Sequence, residues 1–102
     1  MKKNRKTLLI GGNGNLGSSI IKSGLFKNLY SPKKKDLNLL NRHSIRKTLN
    51  KYKFDLIINC AAMARIQDCE KNASKAININ IGGTFNLVKE IFNYEINYKR
   101  KI

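Results

Sequence analysis

The sequence predicts an α/β protein, a doubly wound parallel sheet, and three observations carry that expectation. Two short apolar runs, residues 7–10 and 54–59, read as strands buried on both faces. Amphipathic helical spacing lies between and after them. A glycine-rich turn, Gly11-Gly12-Asn13-Gly14-Asn15-Leu16-Gly17, ends the first run and opens the first helix.

The elements follow in order. Thr7-Leu8-Leu9-Ile10 is continuous apolar chain ending at glycine. Residues 15–23 have helical spacing, with Leu16, Ile20 and Ile21 on one side and Gly24 as the stop. Leu29-Tyr30 is a short second strand, ended by Ser31-Pro32. A polar loop at 33–37 leads to Leu39 and Leu40. Asn41 caps the next helix, whose apolar face is Ile45, Leu49 and Tyr52. The strand at 54–59 follows. A long helix runs from Glu70 to about Asn97, with apolar positions Ile77, Ile81, Phe85, Val88 and Phe92. Right-handed crossovers place the strand at 54–59 and the Leu29 strand on opposite sides of the first. The crevice between the halves is the expected ligand site.

Composition bounds the rest. A chain of 102 residues makes one small domain at most. The formal net charge is +15. So basic a balance raises polyanions as partners. Yet the lysines are scattered and the aromatics do not interleave with them, which favours a solvated surface and disfavours nucleic acid. Cys60 and Cys69 have neither metal nor disulfide spacing, and a reducing cytoplasm is expected. No apolar run reaches membrane-spanning length. His43, Asp68 and Glu70 read as surface and helix-start residues, and no catalytic or metal residue is assigned.

The glycine turn carries the chemistry. Gly12-x-Gly14-x-x-Gly17 has the spacing that lets a dinucleotide pyrophosphate approach backbone at a helix N-terminus. That is a Rossmann-like reading. An acid about 20 residues further on would hold the adenosine ribose. Asp36 is near that distance but lies beyond the strand end, which carries Ser31, Pro32 and then Lys33, Lys34 and Lys35. A hydroxyl and cations there point to NADP, with NAD as the alternative; a solvated loop explains the lysines nearly as well.

Four segments extend the pattern. They are the turn at 11–17, Asp-Leu-Asn-Leu-Leu-Asn at 36–41, Phe-Asp-Leu-Ile-Ile-Asn-Cys-Ala-Ala at 54–62, and a stretch at 68–87 that contains Asn80-Ile81-Gly82-Gly83-Thr84. In that order they resemble the extended short-chain dehydrogenase/reductases, most nearly the dTDP-4-dehydrorhamnose reductase branch of sugar-nucleotide reductases and epimerases. The resemblance spans about residues 6–92. It implies that Asn15, Leu16 and Gly17 hold the cofactor diphosphate, beside Gly11, Gly12 and Gly14, which the glycine spacing already assigns to it. It places Asp36 and Leu37 at the adenine end, and Ala61, Ala62 and Met63 along the ribose and nicotinamide. Asn80 would support the active site through its helix. Met63 reads equally as a core-closing residue.

The family's Tyr-x-x-x-Lys, expected after the next strand, has no match at the end of this sequence, where Tyr98-Lys99-Arg100-Lys101 puts lysine at i+3. The expectation is therefore residues 1–102 as the N-terminal part of an NAD(P)-binding domain, incomplete, with catalytic and substrate parts absent. The substrate of the complete enzyme would be a nucleotide-linked keto sugar, with a homo-oligomer compatible. The strand at 54–59 would form an apolar sheet edge prone to pairing. Two other readings are a regulatory NADP-sensing protein without turnover and a basic nucleic-acid binder.

Overall fold

A computed structural model describes residues 5–61 and 78–98. The strands are β1 (Lys6–Ile10), β2 (Asn28–Tyr30) and β3 (Leu56–Asn59), and the helices are α1 (Asn15–Ser23), α2 (Arg42–Tyr52) and α3 (Thr84–Tyr98). A π-helical segment, Asn78–Gly83, leads directly into α3.

The sheet order is β2-β1-β3, all parallel, as the crossover argument requires. Thr7 pairs with Leu29 on one side of β1 and with Leu56 on the other. Movement from β1 out to β2, then back past β1 to β3, reverses direction. With right-handed crossovers, α1 and α2 therefore cover opposite faces. Alternation along β1 divides its side chains accordingly. Leu8 and Ile10 join the core formed with Ile45 and Leu49 of α2, Leu87 and Tyr94 of α3, and Phe54. Thr7 and Leu9, also buried, point to the side of α1.

Local chemistry explains the boundaries. Asn41 caps α2, its side chain accepting from the His43 N–H at 3.1 Å. Gly24 ends α1 in the left-handed region, at φ 68°. The third strand begins two residues later than its apolar run. There Asp55 turns inward to Lys6: its carboxylate accepts from the Lys6 N–H at 2.9 Å, and its own N–H donates to the Lys6 carbonyl at 2.8 Å. Phe54 instead fills the core, against Tyr30 and Tyr52.

The apolar stripes of two helices face outward. Leu16 and Ile21 of α1 are exposed, as are Ile81, Phe85, Val88, Phe92 and Ile96 of the last helix and its π-helical start. The core-facing side of α3 is instead Leu87, Glu90 and Tyr94. Glu90 is 1% exposed, and the Arg42 and Arg46 guanidiniums reach it at 2.9 and 3.0 Å. A carboxylate tied twice to α2 thus orients α3, and the more apolar face is left outside. Ile77 lies outside the described residues.

Among the described residues, β3 forms one edge of the sheet and no helix is long and apolar enough to cross a membrane.

Candidate functional site

A cleft of about 310 Å³ opens at the carboxyl end of β1. Its floor is Ile10, Gly11, Gly12, Asn13 and Gly14. One wall, beyond β2, is Pro32, Lys34 and the segment from Leu37 to Leu40; the other, beyond β3, is Cys60 and Ala61. This is the crevice where the strand order reverses.

The four glycines of the turn serve different ends. Gly11 has φ +84°, and a Cβ there would lie 2.6 Å from the Cys60 carbonyl carbon. It lets the turn press against the end of β3. A Cβ on Gly17 would run into the Gly11 carbonyl, so Gly17 lets α1 sit beneath the turn. One on Gly12 would run into the Ser31 hydroxyl. Gly14 differs: its Cβ would meet only the Gly11 oxygen, at an ordinary 3.6 Å. Packing does not demand glycine there.

Gly14 is also the N-cap of α1, with no side-chain cap and no acid in the first turn. A helix start left uncapped by its own side chains keeps its positive dipole end and amide donors for another anion. The residues present therefore fit a pyrophosphate over the turn. None of the lining residues is acidic, and Lys34 contributes a cation.

The wall at 37–41 is tightly held. The Leu40 N–H donates to Asn38 Oδ1 at 3.0 Å, and the Asn41 N–H to the Asn38 carbonyl at 2.8 Å. The Ser44 hydroxyl accepts from the Asn38 N–H at 3.0 Å and donates to the Asn41 carbonyl at 2.7 Å. From α3, Asn86 Nδ2 donates to the Leu39 carbonyl at 2.9 Å.

Gly11, Gly12, Gly14, Leu37 and Ala61 thus come together around one cleft. Asn15 and Leu16 stand exposed in the first turn of α1, outside the lining, and Gly17 is buried under the turn. Asp36 is exposed, its N–H donating to the Lys33 carbonyl at 2.9 Å, and it does not line the cleft. Asn80 is exposed within the π-helical segment. Ala62 and Met63 lie outside the described residues. Of the lining residues, the sequence reading assigned no site role to Ile10, Asn13, Asn38, Leu39, Leu40 and Cys60. Asn38 carried the one available signal, as an Asx-type residue three before the Asn41 cap.

A three-stranded parallel sheet with this cleft at its switch point defines a Rossmann-like α/β protein. The chain matches the profile of the family described as RmlD substrate binding domain over residues 5–97, and it belongs to that family. Among solved structures it is similar to a dTDP-4-dehydrorhamnose reductase from Clostridium acetobutylicum ATCC 824, at 33% identity and a TM-score of 0.75, covering 87% of this chain and 32% of that one. The dTDP-4-dehydrorhamnose reductase from Bacillus anthracis str. Ames, solved in complex with NADP, is 25% identical with a TM-score of 0.75, covering 85% of this chain and 32% of that one. A curated relative, the dTDP-4-keto-6-deoxy-D-glucose reductase of Streptomyces niveus, is 31% identical over 78 residues, 74% of this chain and 27% of the relative. The chain thus spans less than a third of each of these proteins.

Proposed function

We propose that the chain is the N-terminal, cofactor-binding part of an NADP-dependent reductase of nucleotide-linked 4-keto sugars. The observation that carries this reading is the cleft itself. A glycine turn and an uncapped helix start face it, and its lining holds a lysine and no acid. The known reductases that this chain resembles, one of them solved with NADP, support the assignment.

In this reading Gly12, Gly14 and the start of α1, with Asn15 and Leu16, hold the pyrophosphate, while Gly11 and Gly17 shape the turn. The adenosine end lies on the β2 side, between Pro32, Lys34 and Leu37, with Asp36 at its outer margin. The nicotinamide end lies on the β3 side, past Ala61, and the family resemblance assigns Ala62 and Met63 to it as well. Asn80 supports the substrate side through its helix. When bound, NADPH supplies the hydride for the C4 carbonyl of the sugar. No residue of this chain is assigned as the proton donor, and the substrate pocket belongs to the remainder of the reductase.

Calorimetric titration of the chain with NADPH and NADH tests the reading. Tighter binding of NADPH is expected. No heat with either cofactor would overturn it, and preference for NADH would overturn the NADP assignment alone.

A further inference from the structure

We infer that Asn86, on α3, is a positioning residue for the adenosine half of the dinucleotide. This rests on the cofactor reading above. Asn86 does not line the cleft. It acts through one bond, from its Nδ2 to the Leu39 carbonyl at 2.9 Å, across 47 residues of sequence. Leu39 is 6% exposed and sits in the wall beside Leu37, Asn38 and Leu40.

The bond matters because of what it holds. The segment from Leu37 to Leu40 belongs to no strand and no helix. A wall made of turn backbone keeps its shape only through side-chain and turn hydrogen bonds. Ser44 ties it to α2 at Asn38, and Asn86 ties it to α3 at Leu39. The second tie fixes the distance between this wall and α3, which is itself held to α2 by Glu90. Without it the Leu39 carbonyl loses a half-buried partner and the leucine shelf is free to shift relative to the glycine turn. The pyrophosphate cradle, built from β1, β3 and α1, does not depend on this bond.

The experiment exploits that separation. Binding of NADPH, adenosine 2′,5′-bisphosphate and inorganic pyrophosphate is measured by calorimetry for the full chain and for Asn86→Asp, Asn86→Ala and Asn86→Gln, with melting curves beside them. Aspartate keeps the shape and, when ionised, cannot donate; glutamine keeps the amide donor. Asn86→Asp and Asn86→Ala are expected to weaken the adenosine bisphosphate by about 3- to 10-fold, the worth of one net hydrogen bond, while pyrophosphate affinity stays unchanged. Asn86→Gln is expected to recover part of the loss. Equal weakening of both probes would mean a general structural role and would overturn the inference. So would unchanged binding of both. If the unsubstituted chain binds none of the three, the cofactor reading itself falls, and this inference with it.

Discussion

The Ser31 hydroxyl occupies the space that a side chain on Gly12 would need. The end of β2 and the floor of the cleft are therefore in contact, and the residue after the strand is one that can yield. Ser31 is exposed and its hydroxyl can rotate away, whereas the obstacles facing Gly11 and Gly17 are backbone atoms. This difference predicts a graded response to alanine. Gly11→Ala and Gly17→Ala are expected to destabilise by about 1–3 kcal/mol, through overpacking and, at Gly11, a left-handed backbone. Gly12→Ala is expected to lie well below them. Gly14→Ala should leave the melting temperature nearly unchanged and still weaken NADPH, because its methyl intrudes where the phosphate is proposed to lie. Melting curves and calorimetry on the four variants check the order; a Gly14→Ala chain that binds NADPH normally would count against the cradle.

The choice between cofactors turns on the same corner. Ser31 follows the end of β2, where the proposed cofactor reading would put an acid for a free ribose 2′-hydroxyl, and Lys34 is the cation in the cleft wall. Ser31→Asp is expected to weaken NADPH by repulsion and to improve NADH, shifting the ratio of dissociation constants by about tenfold or more, a difference of about 1.4 kcal/mol. Lys34→Ala should weaken NADPH alone, with a smaller salt dependence of what remains. Parallel losses for both cofactors in Lys34→Ala would place the lysine away from the 2′-phosphate.

Much of the fold was legible because it depends on short-range patterns. The apolar runs, Gly24 and the Asn41 cap each act within a few residues, and parallel order follows from handedness. The stripe on α3 was legible as a periodicity, but its direction was not. Periodicity reports that a helix has an apolar face, not which face another element covers. Here the deciding contact is Glu90 with Arg42 and Arg46, separated by more than forty residues of chain. Asn86 escaped notice for the same reason, since its partner is a backbone carbonyl that no residue type announces.

The outward stripe has a consequence in solution. Phe85, Val88 and Phe92 are each about 60% exposed, on adjacent turns of one helix. Such a patch is expected to promote association of the chain. Val88→Glu and Phe92→Lys are expected to leave stability within about 0.5 kcal/mol, since neither side chain is in the core, and to lower self-association. Sedimentation across a concentration series checks this. A large loss of stability in either variant would show that the stripe is covered by the chain itself.

Glu90 makes the fold sensitive to acid. Its hydrogen bond from Arg46 outweighs the effect of burial, and with the second bond from Arg42 holds the carboxyl below its ordinary range. A carboxylate whose folded pKa is depressed stabilises the protein above its unfolded pKa, about 4.3 for glutamate, and that contribution is lost as pH falls through the folded value. The expected window therefore begins near the unfolded pKa and extends below it. Glu90→Gln keeps the shape and removes the titration. At neutral pH it is expected to lose about 1–3 kcal/mol, because charge-assisted hydrogen bonds become ordinary ones and the two arginines, both substantially exposed, turn to solvent. Removing both arginines instead should be worse than Glu90→Gln, since the buried carboxylate then has no cationic partner from α2. Thermal melts between neutral pH and about pH 3, spanning the glutamate window, distinguish the cases. The unsubstituted chain should lose stability more steeply on the acid limb than Glu90→Gln, and the two curves should converge there; parallel curves would mean that Glu90 is not the group that titrates.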